Sequence, residues 1–194
     1  MTRAASYGEA HRSPLDHLIA SVRVRRVLPY IRRDTTLLDL GCGYRGDLLH
    51  RLAGYVRRGT GIDLSVDATA TTKTITLLSG KVDAKLPLRT SSFGTATAMA
   101  IIEHVHHPEV MLSEIHRTLT PGGTVVITTP SRYGKPILEL LAWLRVISRA
   151  EIADHKRYYE VATLTKALRA AGFRKVHVSH FGILYLNLLA TGVK

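Results

Sequence analysis

The stretch Leu37–Leu49, LLDLGCGYRGDLL, decides how the rest of the chain is read. Leu37, Leu38 and Leu40 form a short apolar run that stops at Gly41, as a buried parallel strand does. Gly41, Gly43 and Gly46 then complete a G-x-G-x-x-G pattern. Glycines so spaced permit a tight turn, close approach of a ligand to the backbone, and close packing of the next helix. That helix is expected from about Gly46 to Ala53, its first N–H groups aimed at whatever is bound. Asp39 stands two residues before the first glycine, at the carboxyl end of the strand. An acid there suits a ligand with a positive group and is ill suited to a pyrophosphate.

The glycine pattern alone fits three readings: an ordinary α/β turn, a dinucleotide site, or an S-adenosylmethionine (SAM) site. The remaining sequence discriminates among them. The chain is 194 residues long and 45% hydrophobic, enough for one domain with a real core. Cys42 is the single cysteine, so no intrachain disulfide can form and a reducing cytoplasm is the expected setting. Lying inside the glycine turn, Cys42 reads as a small residue that fits rather than a nucleophile. The polar N-terminal stretch MTRAASYGEAHRS has no apolar core of the signal-peptide kind, and no apolar run reaches membrane-spanning length. A formal net charge of +12 fits anionic partners such as nucleic acid, acidic lipid or a phosphorylated substrate. The Lys and Arg residues are scattered, which fits a solvated basic surface equally well.

Along the chain, Pro14 to Ile31 reads as a helix with Leu15, Leu18, Ile19, Val22, Val27 and Ile31 on its apolar side. Gly59–Asp63 (GTGID) reads as a second strand ending in an acid, 24 positions after Asp39. In a doubly wound sheet an acid at that place holds ribose hydroxyls. Residues 66–73 make only a poor helix, and Ile75–Leu78 is a third strand. Thr95–Ile102 reads as a fourth, buried strand leading into Glu103-His104-Val105. A helix opens at His107-Pro108 and ends at Thr120-Pro121-Gly122-Gly123, with Val125–Ile127 as a fifth strand. Residues 136–149 form an apolar helix around Trp143, read either as core or as a cover over an acceptor pocket. Val161–Ala171 is a further helix stopped by Gly172. Val176 and Val178 mark a sixth strand, and Leu184–Ala190 a last one. Residues 1–34 are taken as an N-terminal helical segment and 35–194 as the ligand-binding body of a single domain.

The ordered strings LLDLGCG, GIDLS, LPL, IIEHV and LTPGG resemble the class I SAM-dependent methyltransferases. Within that class the likeness is to the type 11 group, which resembles ubiquinone and menaquinone biosynthesis methyltransferases. It covers roughly residues 35–175. The resemblance implies an α/β, Rossmann-like doubly wound sheet of about seven strands, the last antiparallel, with helices on both faces. It implies SAM as cofactor at the carboxyl edge, and S-adenosylhomocysteine as product. Gly41, Cys42 and Gly43 would then contact the methionine part through the backbone. Asp39 would hold the ammonium and Asp63 the ribose, with Leu64 and Ile101 lining the site. The acid expected near the adenine falls at Asp83 or, with another gap, on Lys81; Asp83 is preferred. Two further departures are Arg45, where the group has glycine, and Gly94, where it has aspartate. The dinucleotide reading predicts an apolar residue at position 39 and a downstream catalytic domain, and finds neither.

Methyl transfer from a sulfonium is a direct displacement, so alignment and exclusion of water are the main requirements. No Asn/Asp-Pro-Pro-Tyr/Phe string follows the fourth strand, and no second cysteine offers covalent catalysis on a pyrimidine. No spacing among His104, His106 and His107 is diagnostic of a metal set. The reading is therefore O-, N- or C-methylation of a small molecule, with O-methylation of a hydrophobic or amphipathic metabolite (a natural-product intermediate, a quinone-like ring or a lipid-linked sugar) preferred. No specific nucleic acid is expected; contact with an acidic membrane is compatible with the charge. The alternatives are a nucleic-acid-directed protein using the basic surface, and a non-catalytic subunit of the same fold. The loop DHKRYY, Asp154–Tyr159, can reach the carboxyl edge. His155 is expected as general base or acceptor-binding residue, oriented by Asp154 or another acid, with Tyr158 or Tyr159 binding the acceptor and His104 as competitor.

Overall fold

The computed structural model describes residues 14–143, 152, 154–182 and 186–194. Helix α1 spans Pro14–Val27 and leads to β1, Thr36–Leu40. A short helix α2, Asp47–Arg51, precedes β2, Arg58–Asp63, and β3 is Ile75–Ser79. Then come β4, Phe93–Met99, helix α3, Pro108–Thr118, and β5, Leu119–Pro130. Helix α4, Lys135–Trp143, helix α5, Val161–Ala170, and strands β6, Arg174–Phe181, and β7, Asn187–Val193, complete the described elements. Among the described residues no helix is long and apolar enough to cross a membrane.

The seven strands lie in the order β3-β2-β1-β4-β5-β7-β6. Strands β1 to β5 pair in parallel, and β7 is antiparallel to both β5 and β6. The chain therefore steps outward from β1 to β3 and returns to start β4 beside β1. In an open α/β sheet that reversal leaves a crevice outside the carboxyl ends of the two central strands, where ligands bind.

Alternation along each strand feeds two cores. Leu38, Leu40, Ala96, Ala98, Val125, Ile127, Leu188 and Ala190 point to one face, against Met111, Leu112 and Ile115 of α3 and Leu164 and Leu168 of α5. Leu37, Val126 and Leu189 point to the other, against Val27 of α1 and Leu48 and Leu49 of α2. Both faces of the sheet are covered, so the strands read as nearly continuous apolar runs.

Several expected boundaries shift for local reasons. Helix α1 ends at Val27, and Leu28–Tyr30 tightens into a 3-10 turn around Pro29, which lacks the N–H to continue an α-helix. Helix α2 begins only at Asp47 because Gly46 is left-handed, at φ 65°. Strand β4 stops at Met99, short of Ile102, because Ala100 turns the chain with φ 52°. The Pro121-Gly122-Gly123 segment lies within β5, at a register shift against β4. The last strand starts at Asn187. The expected beginning of that strand at Leu184, and the helix expected over residues 144–149, lie outside the described residues.

Candidate active site

The glycine turn closes the carboxyl end of β1. Gly41 and Cys42 donate their N–H groups to the Ile62 carbonyl, at 2.8 and 3.3 Å, which ties the turn to β2. Gly41 is packed tight: a Cβ there would stand 2.7 Å from Ile101 Cγ1. Gly43 differs. It has φ +77°, and an added Cβ would meet no atom within 4 Å. Its N–H donates to Asp63 Oδ2 at 2.9 Å, while the Leu64 N–H donates to Asp63 Oδ1 at 2.7 Å. The turn thus presents open space on its outer side, bordered by a carboxylate at the end of β2.

Asp39 lies behind this turn, 2% exposed. Its register partner on β4 is Thr97, whose hydroxyl donates to Asp39 Oδ1 at 2.7 Å. Burial raises the Asp39 carboxyl to about 7; the Thr97 hydrogen bond opposes this and the charge of Asp63 adds to it. A buried acid of that kind gains from a cation placed beside it. An open glycine cradle, a carboxylate at its rim and a cation-seeking acid beneath fit SAM, which carries an ammonium and a sulfonium but no phosphate. Cys42 is buried, and burial with the charges of Asp39 and Asp63 pushes its thiol far above the ordinary range. It is a packing residue: a Cβ on Gly61 would stand 2.7 Å from its Sγ.

Asp83 braces the neighbouring loop. Its Oδ2 accepts from the N–H groups of His106 at 2.9 Å and His107 at 3.3 Å. Burial favours its protonated form, but those two hydrogen bonds outweigh it and the carboxyl stays below its ordinary value.

The turn after β4 joins this half of the crevice to a second group of side chains. Ile101 packs on Gly41, and its carbonyl accepts from the His104 N–H at 3.0 Å. His104 is 5% exposed, and its ring meets the His155 ring edge-on, with centroids 4.8 Å apart. His104 Nδ1 lies 3.1 Å from Asp154 Oδ2, and His155 Nδ1 lies 3.0 Å from the Tyr158 hydroxyl. Buried Glu103 accepts from Thr129 of β5 at 3.0 Å. The segment 154–157 is strapped across this turn: Lys156 donates from its N–H to the Glu103 carbonyl at 2.9 Å and from Nζ to the His104 carbonyl at 2.6 Å. Arg157 donates to the His106 carbonyl at 2.9 Å.

The sequence brought His104, His155 and Tyr158 forward, and the structure places them together. Two details differ from expectation. Asp154 contacts His104 rather than His155. His155 is not a group titrating near neutrality: burial, then the positive charge of Arg23, lower it to about 4 against the pull of Asp154. It is neutral at pH 7 but a weak proton acceptor. Burial, with the charges of Glu139 and Glu103, raises the Tyr158 hydroxyl. Thr97, Glu103, Thr129 and Lys156 were given no role by sequence reasoning; each is fixed by a partner at least 26 positions away. Glu103, His104 and His155 offer donor atoms within 4.8 Å of one another. Both Nδ1 atoms face protein partners, and a cation beside His155 would meet the charge of Arg23.

A seven-stranded sheet of this order with an acid-backed glycine turn at its switch point defines a SAM-dependent methyltransferase of the Rossmann-like class. The methyltransferase-domain family model matches residues 11–178, and the chain belongs to that family. SAM is the cofactor, and the sequence likeness is to the type 11 group. One relative is a ubiquinone biosynthesis O-methyltransferase of Paraburkholderia phytofirmans, 29% identical over 161 residues, covering 77% of this chain and 68% of that one. A SAM-dependent methyltransferase from Archaeoglobus fulgidus shares the fold with TM-score 0.70 at 18% identity, over 92% of this chain and 94% of that one. A Haloferax volcanii complex of the Trm112 methyltransferase activator with a methyltransferase matches with TM-score 0.68 at 20% identity, over 95% of this chain and 99% of the matched chain.

Proposed function

We propose that this chain methylates a hydroxyl group of a small hydrophobic or amphipathic molecule held against His104, His155 and Tyr158. SAM, when bound, would supply an electrophilic methyl to the acceptor oxygen, with the C–S electron pair returning to sulfur and the hydroxyl proton leaving to a base or to solvent. The backbone of Gly41, Cys42 and Gly43 would cradle its methionine part. Asp39 would pair with the ammonium and Asp63 with the ribose hydroxyls. Leu64, Ile101 and Asp83 would border the adenosine.

One observation carries the reading. The turn that seats Ile101 on Gly41 delivers His104, three residues later, into a cluster of proton-handling side chains. An acceptor hydroxyl lodged there lies beside the cofactor turn. Such placement is the largest contribution a protein makes to a displacement of this kind, worth effective molarities of ~10⁵–10⁸ M. The O-methyltransferase name of the Paraburkholderia relative supports oxygen over nitrogen as acceptor atom. Helix α4, apolar in sequence and with Trp143 exposed, supports an apolar body on the acceptor. The reaction is assigned to the cytoplasm, where the basic surface can meet an acidic membrane that presents such a molecule.

The test is a panel of catechol, an alkylcatechol and protocatechuate, with aniline and histamine as amine controls. S-adenosylhomocysteine formation is followed by mass spectrometry. The expected result is a methyl ether, formed fastest on the alkylcatechol. Turnover confined to the amines would overturn the reading.

A further inference from the structure

We propose that a cluster of arginines at the amino ends of β1 and β2 is a docking surface for an acidic phospholipid bilayer. The inference goes beyond the acceptor reading above and does not depend on it.

The 27 Lys and Arg residues are scattered along the chain, but the fold gathers several of the arginines at one edge. Arg32, Arg33, Arg57 and Arg58 stand on the connections that lead into β1 and β2. The Asp34 N–H donates to the Tyr55 carbonyl at 3.0 Å, and the Arg57 N–H to the Thr35 carbonyl at 2.9 Å. Thr36 of β1 is in register with Arg58 of β2. The two connections are thereby laced side by side, and all four arginines are exposed. Arg25 and Arg26, also exposed, lie in the last turn of α1 at the same edge. Cations in a last turn complement the helix dipole; the four on the connections lie beyond the helices. Among the described residues the one acid in this group is Asp34, 3.9 Å from Arg33 Nε, with both side chains more than two-thirds exposed. So exposed a pair leaves most of each charge to solvent. Like charges held this close repel one another, and an anionic surface relieves them.

The residue types fit phospholipid headgroups. No lysine falls between positions 25 and 58, so every basic residue there but histidine is a guanidinium. Guanidinium is weakly hydrated and grips a phosphate through two parallel N–H groups, which suits a partly desolvated headgroup layer. Tyr30 and Tyr55 lie among the arginines, a residue type that favours the headgroup level of a bilayer. Single-stranded RNA would instead require open aromatic faces for its bases. Tyr30 and Tyr55 are only 37% and 36% exposed, and the Arg33 guanidinium lies 5.8 Å from the Tyr55 ring centroid. The cluster is at the opposite end of β1 and β2 from the crevice, so a bilayer bound there leaves the glycine turn uncovered.

Flotation of the full chain with vesicles of phosphatidylcholine, alone or mixed with phosphatidylglycerol, reads the binding. At ~0.1 M salt the chain is expected on the mixed vesicles only, and at ~1 M salt, where the Debye length falls from about 10 Å to about 3 Å, it should be released. A basic residue near an acidic bilayer is worth about fivefold in binding, so Arg57→Gln with Arg58→Gln should lower the partition coefficient by about tenfold or more. Arg32→Gln with Arg33→Gln should do the same, and serves where the first pair fails to fold. Lys166→Gln with Arg169→Gln removes as much charge from exposed positions of α5, on the opposite face of the sheet, and should change binding by less than about threefold. Absence of binding to the mixed vesicles at the lower salt overturns the proposal. So does an equal loss in the α5 pair, which would assign the binding to net charge alone. Displacement of the chain from the vesicles by an RNA oligonucleotide at equal phosphate concentration also overturns it, in favour of a nucleic-acid surface. None of these measurements involves turnover, so failure of the acceptor panel and failure of the docking surface are told apart.

Discussion

Between Gly41 and Leu64 the crevice is bordered by the open side of the glycine turn and by the carboxylate at the end of β2, which the amides of Gly43 and Leu64 hold. They are set by one strand, one turn and the strand beside it. Between Glu103 and Tyr158 the gathered groups are side chains, and the contact at their centre joins residues 50 positions apart. The first region is local and, under the proposed function, would hold a cofactor common to many reactions. The second is assembled across the sheet edge and, on the same proposal, would face the part of the reaction that differs between enzymes. Loops on a rigid scaffold carry such variation at little cost to the fold.

Opposite kinetic signatures would separate the two regions most clearly. His104→Ala is expected to lower kcat on the alkylcatechol by ~10²–10⁴-fold, with SAM affinity by calorimetry changed less than about threefold. His155→Ala should cost less than His104→Ala. Asp63→Ala should do the reverse, weakening SAM by ~1.5–3 kcal/mol, the scale of lost hydrogen bonds to a charged group. If both variants shifted affinity and kcat alike, the division would not stand.

Asp39 gives a pH test of the cofactor region alone. Its folded value of about 7 lies above the ordinary 3.8, so between those values the native state binds more protons than the unfolded state. Stability from this group is therefore present at low pH and lost as pH rises through about 7. His155 acts oppositely, but its contribution changes between about 4 and 6.5. Above pH ~6.5 the Asp39 effect stands clear: Tm of the SAM-free protein should fall toward pH ~8, and Asp39→Asn should flatten the slope. SAM should release close to one proton on binding at pH ~6 and far less at pH ~8, read by calorimetry in buffers of different ionisation heat.

The smallest expected effect tests whether a third region exists. The charge of +12 is scattered, so a labelled RNA should show no retained anisotropy change at ~200 mM salt. Tight binding under those conditions would reveal a surface that neither region accounts for.

The strand and glycine turn of the first region were legible because their signals are adjacent in sequence. Leu37 to Gly46 spell strand, turn and helix start, and Asp63 falls where a second strand must end. The other region was legible only as residue types. His104, His155 and Tyr158 stood out, but which histidine Asp154 addresses depends on how a strap after α4 meets a turn after β4. No local pattern encodes that. The end of β4 was hidden for another reason. TATAMAII holds no glycine, proline or charged residue, and the left-handed residue that breaks it is Ala100, not a glycine or asparagine. The Pro121-Gly122-Gly123 segment looked like a simple helix stop, yet the neighbouring strand draws it into β5.

Cys42 gives the molecule a built-in clock. It is the single thiol of the chain, 8% exposed, with its sulfur wedged against Gly61 beneath the turn. A thiol reagent can reach it only when that turn lifts off β2. Its labelling rate in the native protein therefore measures how often the turn opens, as amide exchange does for a buried hydrogen bond. SAM should slow the labelling in proportion to the fraction bound, while the alkylcatechol alone should leave it nearly unchanged.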